Sequence, residues 1–202
     1  MVVWLFAGGG ESEVRGLIPF LQKNFACTFE RKTPIRRKPG PKPSVNRGYG
    51  HTGRSLARQI EIHLPSALKQ GQCDLILIID DLDCRNEQQQ KHLFLQTLHN
   101  LIGELKIPIW IGFAAPEIEA WLIADWDNTI ARHIDFRHIH QAMRWSLSAE
   151  HNVSFDTPET FSEFDPDKDS CQDKLSDEII AAAEEIFKIF KIESYSIAAT
   201  RY

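Results

Sequence analysis

Carboxylates gather wherever an apolar run of this chain comes to an end. Val2–Phe6 leads into Gly8-Gly9-Gly10 and then Glu11 and Glu13. Leu75–Ile79 leads into Asp80, Asp81 and Asp83, and Ile107–Ala115 leads into Glu117 and Glu119. In open α/β sheets the reactive groups collect outside the carboxyl ends of the strands. Acids converging there from separate strands suit a hard divalent cation, Mg²⁺ or Mn²⁺, which takes oxygen ligands and keeps several waters. In an extended segment Asp81 and Asp83, two apart, project to one side and can share an ion. Asp80, directly behind five apolar residues, is costly to bury without a partner. The expected metal ligands are therefore Glu11, Asp80, Asp81 and Asp83, with Glu119 as an outer ligand or proton acceptor. Two plainer roles compete: acids offset the dipole in the first turn of a helix, and Asp-x-Asp after a strand is common turn chemistry.

The elements that must position these acids follow from periodicity. Val2–Phe6, Ala26–Thr33, Asp74–Ile79 and Ile107–Ala115 read as strands. Asp74–Ile79 is a continuous apolar run, the pattern of a strand buried on both faces. Helical spacing marks Glu13–Phe25, Ser55–Leu68 (with Pro65 able to shorten it), Asn86–Leu105 and the segment PEIEAWLIAD from Pro116, with proline at its first position. Strand and helix alternate. The expected fold is thus α/β and Rossmann-like, a mostly parallel central sheet with helices on both faces. Residues 1–127 form this α/β domain, and residues 128–202 form a helical extension packed on it, ending in a helix near Asp177–Ile192.

Charge is segregated along the 202 residues. The net value of −5 conceals nine basic residues and no acid between Arg31 and Arg58. The stretch from Ile35 to Gly50 within it, rich in glycine and proline, reads as a long loop. Phosphate binding depends on such local clusters rather than on totals. Arg36, Arg37, Lys38, Lys42, Arg47 and Arg54 are the expected nucleic-acid contacts, with Tyr49 available for base stacking. A solvated basic loop is the plainer alternative.

Other classes lack support. No apolar run approaches the length of a membrane span, and the N-terminus has no basic region ahead of an apolar one. The four cysteines form no CxxC pair, so neither a zinc site nor a disulfide framework is indicated. A cytoplasmic protein with reduced thiols is expected. No GK[ST] follows the glycines, so a Walker-type ATP site is not supported. His133, His138 and His140 read as surface histidines, and Asp165–Glu178 lacks the glycine and terminal glutamate of a calcium loop.

Three segments, AGGGESE at Ala7–Glu13, LILIIDDLDC at Leu75–Cys84 and PEIEAWLIAD at Pro116–Asp125, resemble a Toprim domain. The likeness is to small stand-alone Toprim-like proteins and to the Toprim half of OLD-family nucleases. It covers roughly residues 1 to 125. It implies a Mg²⁺-dependent nuclease cleaving DNA or RNA phosphodiesters, with Glu11, Asp81, Asp83 and Glu119 as catalytic residues. It also implies an ATPase partner and a role in phage defence. One departure stands out, because the family's first glutamate falls on Ala7. The alternative is a non-catalytic nucleic-acid- or protein-binding module with a degraded metal site.

Overall fold

A computed structural model describes residues 1–8, 16–33, 52–83, 85–103 and 106–162, with the backbone of 164–165 and 170–171. Four strands, β1 (Val2–Ala7), β2 (Thr28–Arg31), β3 (Leu75–Asp81) and β4 (Ile109–Ala114), make one parallel sheet in the order β2-β1-β3-β4. The helices are α1 (Ile18–Asn24), α2 (Gly53–Gln70), α3 (Glu87–Ile102), α4 (Ile118–Ala124) and α5 (His140–His151). This is a parallel-sheet α/β fold with flanking helices. The expected final helix near Asp177–Ile192 lies outside the described residues. A two-strand antiparallel pair, β5 (Phe164–Asp165) and β6 (Ser170–Cys171), follows in the C-terminal region. Among the described residues no helix is long and apolar enough to cross a membrane.

The period-two alternation of strand side chains divides the core into two layers. On one face Trp4, Phe6, Ile76 and Ile78 pack with Leu56, Ile60 and Leu64 of α2 and with Phe94 and Leu98 of α3. The α2 residues recur every four positions, so one stripe of the helix is buried along its length. Pro65 sits inside α2 without ending it. On the other face Val3, Leu5 and Ala7 pack with α1 and with Ile118, Leu122, Trp126, Met143 and Leu147. The described part of the C-terminal region is therefore built into the same core as β1.

β3 departs from the expectation of burial on both faces. Ile76, Ile78 and Asp80 are buried, whereas Leu75, Leu77, Ile79 and Asp81 are only half-covered. The half-covered set faces the layer of α1 and α4, and it is continued on β4 by Trp110, which is 67% exposed. The neighbouring helices on that side cover β1 rather than β4.

Candidate functional site

The strand order places a topological switch between β1 and β3, because the chain leaves β1 toward one edge and β3 toward the other. A crevice opens at the carboxyl ends of such a pair. Asp80 and Asp81 end β3 at this point, and Ala7 ends β1 beside them.

Each acid of β3 is engaged there by the fold itself. Asp80 is 1% exposed, and both its carboxylate oxygens accept from the Gly53 amide, at 3.0 and 3.1 Å. The carboxylate thus closes the amino end of α2, where unpaired N–H groups and the helix dipole favour a negative charge. Asp81 Oδ1 accepts from the Ile118 amide at 3.1 Å and serves the amino end of α4 in the same way. Asp83 accepts from Arg85 Nη2 at 2.6 Å. Glu117, the residue preceding α4, is buried and accepts from the Ser162 hydroxyl at 2.7 Å. Glu119 lies half-buried in the first turn of α4.

Arg85 is the centre of this arrangement. Besides Asp83, its guanidinium donates to the Asp81 carbonyl, to the Leu82 carbonyl at 3.1 Å and to Thr52 Oγ1 at 3.1 Å. It also lies 3.9 Å from Asp80 Oδ2. The planar fork of an arginine can meet several acceptors at once while supplying a fixed positive charge. Arg85 therefore ties the end of β3 to the start of α2. Gly53 is part of the same joint: its φ is +53°, and a Cβ there would collide with the Arg85 guanidinium.

This geometry corrects the expected metal centre. Among the described residues no group of three or more His, Cys, Asp or Glu side chains is placed to hold a metal ion. The physical reason is visible at the Asp-x-Asp segment. β3 ends at Asp81, and Asp83 takes a left-handed backbone with φ of 51°, so the two side chains do not continue an extended strand. Asp81 turns to α4 and Asp83 to Arg85. Among the described residues, the acids at this edge do not fit Mg²⁺ or Mn²⁺. The expectation of a metal-dependent nuclease, and of the defence role attached to it, is overturned with the site. Glu11, the remaining expected ligand, lies outside the described residues, as does Cys84.

The basic segment is anchored at the same edge. At its start, Thr33 Oγ1 donates to the Ala7 carbonyl at 2.9 Å, and Arg31 donates to the carbonyls of Ala7, Gly8 and Thr33. Lys32 pairs with Glu30 at 2.7 Å and lies over the Trp4 ring. That hydrogen bond and the lysine charge hold the Glu30 carboxyl below its ordinary range. At the end of the segment, Thr52 and Gly53 are held by Arg85 and Asp80. Arg54 and Arg58 follow, exposed and one turn apart on α2. Arg36, Arg37, Lys38, Lys42, Arg47 and Tyr49 lie outside the described residues.

Sequence reasoning missed Arg85, Gly53, Thr33 and Ser162. The signal for Arg85 was a basic residue two positions after Asp83. The signal for Gly53 was a glycine just before a helical stripe. Comparison with family models, with curated proteins and with solved structures finds no match to this chain.

Proposed function

We propose that the chain is a non-catalytic nucleic-acid-binding module, Toprim-like in architecture, whose basic segment from Arg31 to Arg58 holds the phosphate backbone. The observation that carries this reading is the anchoring of both ends of that segment at the carboxyl edge, through Thr33 on Ala7 and through Thr52 and Gly53 on Arg85 and Asp80. The described ends of this basic segment thus lie at the crevice where α/β sheets present their ligands. The acids beside them would repel phosphate if they faced it bare. Their pairing with Arg85 and with helix amides removes much of that penalty.

Position 7 supports the non-catalytic form of the reading. Where the Toprim resemblance calls for glutamate the chain has Ala7, fully buried and packed in the core, with its carbonyl accepting from Thr33 and Arg31. A partner ATPase rests on the resemblance alone, and co-purification from the native host tests it.

Binding to labelled DNA and RNA, followed by fluorescence anisotropy over a salt series, tests the central reading. Affinity should fall linearly on a double-logarithmic plot, with a slope of roughly −0.9 per neutralised phosphate on duplex and −0.7 on single strands. Reversing charge together at Arg36, Arg37 and Lys38 should flatten that slope. Undetectable binding at low salt, or an unchanged slope in the variant, refutes the assignment.

A further inference from the structure

β4 lies at one end of the sheet and, among the described residues, pairs only with β3. Proteins usually protect such an edge with charge, proline, a bulge or a covering element, because its open backbone groups template a further strand. The six residues of β4, IWIGFA, contain no charge and no proline. The strand also carries Trp110, 67% exposed, where the half-covered face of β3 continues. Two positions on, and on the same face, Gly112 is exposed, and a Cβ built on it would meet nothing within 4 Å.

We infer that β4 is the contact of a homodimer, in which two copies pair antiparallel across a two-fold axis through Ile111. A two-fold interface must be self-complementary, each copy offering both halves of every contact. With the axis at Ile111, Trp110 of one copy falls opposite Gly112 of the other on the same face of the joined sheet. The indole then has the open ground above glycine to lie on, and the contact occurs twice. On the opposite face Ile109 meets Phe113 and Ile111 meets its own counterpart, extending an apolar layer that is already half-buried.

Two indoles, each already about one-third covered, remove roughly 200–330 Å² from water. Ladder hydrogen bonds and flanking side chains along the strands then need to supply the rest of the roughly 1,000 Å² that a specific interface requires.

Sedimentation equilibrium of the full chain over a concentration series tests the dimer. The native chain should show twice the monomer mass. Trp110→Lys and Gly112→Lys, one removing the knob and the other filling the hole, should each raise the dimer dissociation constant by about tenfold or more. Trp110→Lys changes a side chain that is solvent-exposed in the single chain, so its circular dichroism should stay native, while its melting temperature should lose the dependence on protein concentration that a dimer confers. A native chain that is monomeric throughout the series overturns the proposal. So does a dimer that Trp110→Lys leaves intact.

Discussion

The acidic end of β3 and the described ends of the basic stretch that begins at β2 lie at one edge of the sheet, and both stretches carry charge of a single sign, yet they differ in what they face. Asp80, Asp81 and Asp83 turn inward, onto the amides of Gly53 and Ile118 and onto the guanidinium of Arg85. Arg54 and Arg58 stand on the outer side of α2, in solvent. The difference teaches that a cluster of acids signals a cation but does not specify which one. Here a guanidinium from the next turn of the same chain supplies the charge that a metal would otherwise bring.

Substitutions on the two sides should therefore fail differently. Asp80→Ala removes a buried acceptor from the Gly53 amide at the start of α2. The expected loss is about 1–3 kcal/mol, read from the midpoint and slope of chemical denaturation. A loss below about 1 kcal/mol would show that the clasp does not hold the fold. Gly53→Ala forces a side chain into a left-handed backbone and against Arg85, at about 1–3 kcal/mol. The same denaturation series measures it, and native stability in this variant would contradict the close approach.

Arg54→Glu with Arg58→Glu should do the opposite. Stability should change by no more than about 0.5 kcal/mol, since both side chains are exposed. The salt slope of duplex binding should flatten by roughly 0.9 for each phosphate that is no longer neutralised. Equal damage to fold and binding would erase the contrast between the two regions.

Glu30→Gln gives the smallest effect. The Glu30 carboxyl is held below its ordinary range chiefly by the hydrogen bond from Lys32 and also by that residue's charge. Its contribution is present above the unfolded pKa and is lost as pH falls through the lowered folded value. The variant should accordingly match the native chain in acid and melt slightly lower near neutrality, a difference that thermal denaturation at several pH values resolves. A gap that persists at low pH would assign the effect to something other than this pair.

The order of strands and helices was legible because each apolar run and each four-residue stripe reports burial directly. Leu56, Ile60 and Leu64 on α2 and the alternation through β1 show this. The two-faced burial expected of β3 was not borne out, because an apolar run shows what can be buried and not which helix arrives to cover it. Leu77 and Trp110 remain short of cover on one side.

The site was half legible. The acids were found at the correct edge, since position at a strand end is a local property. Their partners were not, because Asp80 meets Gly53 across 27 residues of sequence and Asp81 meets Ile118 across 37. Such pairings depend on the crossover connections and leave no periodic trace. The left-handed turn at Asp83, which breaks the expected same-side projection, is equally silent in sequence.

The most direct test of a binding module without a metal centre follows a labelled nucleic acid with the native chain in Mg²⁺ and in chelator, at matched ionic strength. Anisotropy and strand integrity are read together. Equal affinity in both conditions and an intact strand are the predicted result. Cleavage that requires Mg²⁺ and disappears in Asp81→Ala would contradict it.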